Sequence, residues 1–122
     1  MSGERRVADS RITVARASAA DAGVVARLVH ALLDELSGGK ALAPADLQSS
    51  ATHLLEQGQV EGLIATLDGK PIGVLMLNPC AAIYAGGRFG EITELYVTPA
   101  HRSDGVAALL LAEAKDVAKE HE

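Results

Sequence analysis

The segment from Glu91 to His121 reads EITELYVTPAHRSDGVAALLLAEAKDVAKEH. Its first part, Ile92 to Val97, is rich in β-branched and aromatic residues and predicts a strand. A polar run after Pro99 ends at Gly105, and apolar residues then recur on one helical face. They are Val106, Leu110, Ala114 and Val117. The segment therefore predicts a strand, a turn and an amphipathic helix, in that order.

The junction between this strand and this helix predicts an anion site. The first backbone N–H groups of a helix have no partner inside it and carry partial positive charge. Gly105 allows a ligand to approach the backbone because it has no Cβ, and Ala107 is nearly as open. Arg102 adds a guanidinium that can bind phosphate oxygens in a bidentate way. The pattern favours a diphosphate ligand.

The same residues carry a family resemblance. The run Arg102-Ser103-Asp104-Gly105-Val106-Ala107 matches the R/Q-x-x-G-x-G/A signature of the GNAT superfamily of N-acetyltransferases. The resemblance implies acetyl-CoA as the co-substrate, with its diphosphate bound by all six residues. The alternative is that Gly105 is only a turn residue before a surface helix and that Arg102 is solvated.

The preceding residues, Glu94 to Pro99, resemble the fourth strand of that family. The resemblance implies that backbone groups of Leu95, Tyr96 and Val97 hold the pantetheine arm of acetyl-CoA. It also makes Glu94 and Glu91 the candidate catalytic residues, with Glu94 ranked ahead as a group lining the site. The two-residue period of a strand places these two carboxylates on opposite faces. The alternative for each is a solvated strand carboxylate.

The upstream chain predicts the remaining elements of one α/β domain, residues 12–122, after a disordered lead-in over residues 1–11. Ile12 to Arg16 alternates as a strand, and an apolar stripe from Ser18 to Gly38 predicts a helix. The resemblance implies that the end of this helix borders the acceptor pocket, which makes Asp34 and Glu35 candidates for attracting an amine; the alternative is that both acids are solvated. A helix is predicted to begin at Pro44, and a hairpin to turn at Asp68-Gly69 and end at Asn78-Pro79. The glycine-rich segment from Cys80 to Gly90 predicts a loop or a loosely paired connection between the third and fourth strands. The order β, α, α, β, β, β, α resembles the first two-thirds of the GNAT fold, a mostly antiparallel sheet of about four strands with three helices.

Composition limits the classes of function. The 11 basic and 16 acidic residues give a net charge of −5, which argues against a nucleic-acid partner. The single cysteine, Cys80, excludes an internal disulfide and a cysteine-based zinc site, and no metal is expected. No apolar run predicts a signal peptide or a membrane helix, so we expect a cytoplasmic protein without a membrane partner.

Two features depart from the family pattern. Asp104 puts a carboxylate in the predicted phosphate loop, where it would weaken binding if it pointed inward. The strand, helix and hairpin that usually follow this helix in the family are not in the sequence, which leaves the edge of the fourth strand without a partner. We therefore expect a homodimer in which a second chain covers that edge.

Three functional hypotheses follow. The first is an acetyl-CoA-dependent N-acetyltransferase that acts on a primary amine of a small molecule or peptide. The second is a non-catalytic, CoA-binding or structural GNAT remnant that acts by association. The third is an unrelated α/β domain whose helix binds simple phosphate.

Overall fold

The computed structural model describes residues 11–83 and 86–121, which form four strands and three α-helices. In chain order the elements are β1 (Ile12–Ala17), α1 (Ala22–Ser37), α2 (Pro44–Glu56), β2 (Glu61–Leu67), β3 (Lys70–Ala82), β4 (Gly87–Val97) and α3 (Val106–Glu120). This sequence of elements confirms the predicted fold class. Residues 1–10 of the predicted lead-in lie outside the described residues.

The four strands form one antiparallel sheet in the order β1-β2-β3-β4. Each strand pairs with the next along the chain; a two-residue turn joins β2 to β3, whereas α1 and α2 lie between β1 and β2. The predicted hairpin turn is confirmed, because Leu67 pairs with Lys70 around Asp68 and Gly69, whose φ angles are 51° and 79°. Two successive residues with positive φ are the geometry that makes Asp-Gly a preferred two-residue turn.

Helices cover both faces of the sheet. α3 packs on one face, where its buried stripe meets Leu63, Leu75 and Leu77. α1 packs on the other face against Ile64, Val74 and Met76. Because β2 and β3 are covered on both sides, they read as nearly continuous apolar runs, as doubly covered strands do. All four residues of the predicted α3 stripe are buried.

The helix ends follow their local sequence signals. The backbone N–H of Ser18 donates to Asp21 Oδ2 at 2.8 Å, and a single 3-10 turn then leads into α1. Gly38 closes α1 with a φ of 68°, the left-handed conformation that suits glycine at this position. Pro44 is the first residue of α2, as predicted, because a proline there removes no helical hydrogen bond.

For the segment from Cys80 to Gly90 the sequence predicts a loop or a loosely paired connection, and an unpaired loop is wrong, because residues 80–82 pair with residues 87–89. β3 continues through Asn78 and Pro79 to Ala82, and β4 already begins at Gly87. Pro79 is tolerated because β2 pairs with β3 only as far as Leu77, so the missing N–H faces no strand on that side. Gly90 allows the close pairing, since a Cβ there would lie 2.9 Å from Leu77 Cδ1.

β4 is an edge strand among the described residues, with β3 as its neighbour on one side. The backbone groups on its other side are therefore open to solvent or to a ligand. The homodimer expected from this edge stays a prediction. Among the described residues, no helix has the length and apolarity needed to cross a membrane.

Candidate functional site

The signature loop, which we define as Arg102 to Ala107, joins β4 to α3 through a tight turn. A 3-10 turn over Pro99–His101 comes first, and Gly105 then adopts a φ of 81° immediately before α3. No side chain of the described residues caps the amino end of α3. The first amides of the helix therefore remain available as hydrogen-bond donors to an anion.

The residues of the signature loop differ in what they expose. Val106 is 1% exposed because its side chain belongs to the core under α3, while Ser103 lies at the surface. Asp104 turns toward His101, with its Oδ2 3.2 Å from Nδ1 of the imidazole. This contact fixes the position of the Asp104 carboxylate beside His101, and the effect of its charge on phosphate binding stays a prediction. The loop thus offers backbone amides more than side chains.

Arg102 already has partners within the protein. Its Nη1 and Nη2 atoms donate to both carboxylate oxygens of Glu35, at 2.9 and 2.7 Å, and its Nε donates to the carbonyl oxygen of Val97 at 2.9 Å. The guanidinium also lies 5.4 Å from the centroid of the Tyr96 ring. A phosphate would have to replace Glu35 to use this guanidinium, because the bidentate face is occupied.

The Glu35–Arg102 pair has the expected electrostatic signature. The hydrogen bond from Arg102 lowers the pKa of Glu35 below its usual value, although desolvation opposes the shift. The same hydrogen bond raises the pKa of Arg102. Both side chains are almost half exposed, at 48% and 44%, so solvent screens the pair. Glu35 was a candidate for attracting an amine, and the structure instead joins it to the signature loop.

The three strand residues predicted to hold the pantetheine arm direct their side chains into the core. Tyr96 packs on the α1 side of the sheet, and Leu95 and Val97 pack on the α3 side. Only their main chain, along the open edge of β4, is left for a ligand. This arrangement agrees with a role through backbone groups, and that role stays a prediction. Next to them, the buried Thr98 Oγ1 has no hydrogen-bond partner among the described residues.

Glu91 and Glu94 do not lie on opposite faces of β4, so that prediction is wrong. Glu94 is opposite Met76, and Glu91 is opposite Asn78, two residues further along β3. The register shifts between these pairs, so that β4 contains one extra residue, Thr93, at a β-bulge. The extra residue reverses the alternation and places both carboxylates on the α1 side of the sheet.

A cavity of about 350 Å³ lies between this face of the sheet and the two helices above it. We call it the α2 cavity. The two helices contribute Val25, Ala26 and Val29 from α1 and Leu47, Ala51 and Leu54 from α2. The sheet contributes Met76, Asn78, Thr93 and Glu94. Glu94 thus lines the cavity, whereas Glu91 is exposed and is not among the lining residues.

Thr93 fixes one oxygen of the Glu94 carboxylate, because its hydroxyl donates a hydrogen bond to Oε2. Among the described residues, no partner occupies Oε1. A carboxylate with one oxygen oriented and the other open can accept a proton or bind an ammonium group. This is the strongest chemical feature of the cavity.

The sequence did not indicate the α2 cavity. α2 carries the apolar stripe of a packed helix, and Ala51 and Leu55 pack against the core, yet none of its residues is buried and Leu47 and Leu54 line the cavity. The bulge at Thr93 leaves no trace in residue types either. The lack of any large aromatic residue near the stripe was the one available hint that the space would stay unfilled.

Among the described residues, no group of three or more His, Cys, Asp or Glu side chains could hold a metal ion.

Comparison with known proteins adds family and fold. The model of the acetyltransferase (GNAT) family matches residues 25–122. A ribosomal-protein-alanine N-acetyltransferase from Brucella melitensis biovar Abortus 2308 is similar in structure, with a TM-score of 0.73, 28% identity, and coverage of 89% of this chain and 73% of that one. No curated protein sequence matches the chain.

Two further crystal structures share the fold at lower identity. A "predicted acetyltransferase with acetyl-CoA" from Clostridium acetobutylicum has a TM-score of 0.76 and 21% identity, covering 90% of this chain and 75% of that one. An aminoglycoside acetyltransferase from an uncultured soil metagenomic sample, in complex with sisomicin, has a TM-score of 0.74 and 20% identity, covering 93% and 73%. With the family match over residues 25–122, these findings show that the chain belongs to the GNAT family of acetyltransferases.

Proposed function

We propose that this protein transfers an acetyl group from acetyl-CoA to a primary amine. The observation that carries the proposal is that one strand connects the two candidate regions. β4 passes the α2 cavity at Glu94 and ends at Val97, just before the signature loop. Three residues of strand span about 10 Å. A donor along the edge of β4 would therefore reach from the uncapped amides of α3 to the Glu94 carboxylate.

The signature loop fits a diphosphate through its backbone. Gly105 has a φ of 81° immediately before α3, and no side chain of the described residues hydrogen-bonds to the first amides of that helix. Asp104 is held by His101. Arg102 contributes positive charge nearby, and it binds phosphate directly only by exchanging Glu35 for a phosphate oxygen pair.

In this reaction Glu94 acts as the proton acceptor. Acetyl-CoA supplies an acetyl thioester; transfer forms a nitrogen–carbon bond and breaks the carbon–sulfur bond. The acceptor ammonium loses two protons in the process. Glu94 accepts one and passes it to solvent, and the other protonates the departing thiolate, so that charges and atoms balance. Open backbone N–H groups on the edge of β4 are suited to stabilise the negative charge that develops on the carbonyl oxygen.

One relative supports nitrogen as the acceptor atom. The similar structure with 28% identity is a ribosomal-protein-alanine N-acetyltransferase. The Glu94 carboxylate at the cavity is the matching feature in this chain, because it can attract an ammonium group and then accept its proton.

Calorimetric titration with acetyl-CoA, followed by a thiol-release assay over a panel of amines, tests the proposal. We expect saturable binding of acetyl-CoA and amine-dependent release of CoA. Binding without release would favour the non-catalytic, CoA-binding alternative. Equal affinity for inorganic phosphate and for CoA would favour a simple phosphate-binding domain and would remove the proposal.

The homodimer and the cytoplasmic location are also proposals. The open edge of β4 motivates the dimer, since an uncovered strand edge favours pairing with another chain. The second chain would pair along the first part of β4, before Glu94, and leave the edge from Leu95 to Val97 to acetyl-CoA. Sedimentation at micromolar concentration tests it. We expect a dimer mass, and a stable monomer would contradict pairing through this edge.

A further inference from the structure

The lining of the α2 cavity has an unusual balance of charge and apolar surface. Eight of its twelve lining residues are aliphatic, counting Ala and Met. Three are neutral and polar, namely Ser50, Asn78 and Thr93, and Glu94 is the only charged residue among them. The cavity therefore combines one negative charge with a wide apolar wall. Ligand sites of this size commonly have an apolar lining with a few polar groups that fix orientation.

Part of the apolar face of α2 lies over the α2 cavity. Leu47 and Leu54 face the cavity, whereas Ala51 and Leu55 pack partly against the core on this side of the sheet, and no residue of α2 is buried. An apolar helix face normally packs directly against the sheet, since burial of apolar surface stabilises the fold. The part of this apolar face that lies over the cavity lacks that stabilisation unless a ligand with apolar surface enters.

We infer that the acceptor is a small monoamine with an aliphatic body, whose ammonium binds Glu94 and whose hydrocarbon part lies against α1 and α2. The inference rests on the proposed function, because it identifies the acceptor of that reaction. The open Oε1 atom of Glu94 is the partner for the ammonium. Val29, Ala51 and Leu54 provide the apolar contact for the hydrocarbon part.

The same lining disfavours other classes of amine. A polyamine or an aminoglycoside carries several positive charges, and each buried charge requires its own partner. Among the described residues that line the cavity, Glu94 is the only carboxylate. An acceptor with a carboxylate close to its amine would be repelled by Glu94, because no lining residue is a cation.

Binding of simple probes in the absence of acetyl-CoA tests the inference. The probes are 3-methylbutylamine, its neutral analogue 3-methylbutanol, and 1,4-diaminobutane, each titrated into the full chain by calorimetry. We expect the monoamine to bind about fivefold more tightly than the alcohol, which corresponds to a partly exposed ion pair. The Glu94→Gln variant should lose that preference and retain binding of the alcohol. The diamine should bind no more tightly than the monoamine.

Two matched variants on α2 localise the binding. Ser50 lines the cavity, whereas its neighbour Ser49 does not, and both are exposed, so Phe at either position should leave the fold intact. Ser50→Phe should reduce monoamine affinity at least about fivefold by occupying the mouth of the cavity, whereas Ser49→Phe should not change it. The conservative variant Ala51→Val provides a second, smaller obstruction and should act in the same direction.

The outcomes separate this inference from the proposed function. Tighter binding of the diamine, or equal effects of Ser50→Phe and Ser49→Phe, would overturn the inference. Release of CoA with polyamines but not with monoamines would also overturn it and would leave acetyl transfer in place. Monoamine binding that depends on Glu94, without CoA release in the complete assay, would support the site and reject the transferase proposal.

Discussion

The signature loop and the α2 cavity differ in how the chain builds them. The loop comes from six consecutive residues and offers main-chain amides, whose direction depends on Gly105. The cavity takes residues from two helices and two strands, between Val25 and Glu94. A site made of backbone groups can be recognised from local sequence, because turn chemistry is local. A site made of space between elements depends on packing and is invisible until the elements are assembled.

The two regions also differ in how fully their charged side chains are paired within the protein. In the signature loop each charged side chain already has a protein partner: Arg102 pairs with Glu35, and Asp104 with His101. In the α2 cavity, the one carboxylate has a single hydroxyl partner, Thr93. A group with spare hydrogen-bonding capacity beside an apolar wall is suited to act on a ligand. We therefore expect the catalytic group in the α2 cavity and the binding of acetyl-CoA at the signature loop.

The largest expected effect is the loss of turnover when Glu94 is replaced, and it distinguishes a catalytic role from a role in binding acetyl-CoA. The Glu94→Gln variant removes the proton acceptor but keeps the shape of the side chain, so turnover in the thiol-release assay should fall about 100-fold or more. Affinity for acetyl-CoA should stay within about twofold of wild type, because Glu94 belongs to the cavity and not to the loop.

Glu91→Gln is the matched control for that variant. Glu91 lies on the same strand and the same face of the sheet but does not line the cavity. Its turnover should therefore resemble that of wild type. Equal losses of turnover in Glu94→Gln and Glu91→Gln would mean that a position in the cavity lining does not identify the catalytic carboxylate.

The next effect tests the anchoring role of Gly105. In the Gly105→Ala variant a Cβ enters a left-handed position, which should destabilise the fold by roughly 1–2 kcal/mol. We expect the added Cβ, next to the first amides of α3, to obstruct a bound phosphate, so the Kd for acetyl-CoA should rise about tenfold. Urea unfolding and calorimetry measure the two effects.

Gly58→Ala separates strain from obstruction. Gly58 follows α2 with a φ of 66°, and a Cβ there would meet nothing within 4 Å. It should show a similar loss of stability with unchanged affinity for acetyl-CoA. If both variants lost affinity equally, the effect of Gly105→Ala would come from general strain.

The smallest effect concerns the Glu35–Arg102 pair. Because Arg102 lowers the pKa of Glu35, the pair stabilises the fold above the ordinary Glu pKa of 4.5, and this stabilisation is lost as the pH falls through the lower folded value. The stability gap between wild type and Glu35→Gln should therefore be present at neutral pH and should be smaller at an acidic pH below the lowered pKa of Glu35. Urea unfolding at both pH values measures it, and a gap of constant size would contradict the assignment.

The same variant tests whether Glu35 competes with phosphate. Freeing Arg102 in Glu35→Gln should improve acetyl-CoA affinity about two- to fivefold, the range of an exposed ion pair. Asp34→Asn, one residue earlier on α1, should leave affinity unchanged. A loss of affinity in Glu35→Gln would instead mean that Glu35 holds Arg102 in its binding position.

The parts of the fold that were predictable from sequence depend on local patterns. The α3 stripe, the Asp68-Gly69 turn and the start of α2 at Pro44 each follow from residues within one or two turns of chain. Their physical causes, side-chain period and backbone dihedral preference, are present in short peptides. The order of the elements then favoured a sheet in which strands that follow each other in sequence are neighbours, as β1 to β4 are.

The errors arose where tertiary context overrides a local signal. Pro79 reads as a strand breaker, but it lies in a strand because its N–H side has no neighbour. The bulge at Thr93 depends on how β4 pairs with β3, so the shared face of Glu91 and Glu94 was not accessible. The partner of Arg102 lies 67 residues away in sequence, and no spacing rule could identify it.

Amide hydrogen exchange with and without acetyl-CoA tests the central claim most directly. The claim is that the uncapped amides at the start of α3 hold the diphosphate of acetyl-CoA. It predicts that exchange of the Val106 and Ala107 amides, which lack helical partners, slows when acetyl-CoA is added. Unchanged exchange at these two amides, with acetyl-CoA bound elsewhere or not at all, would contradict it.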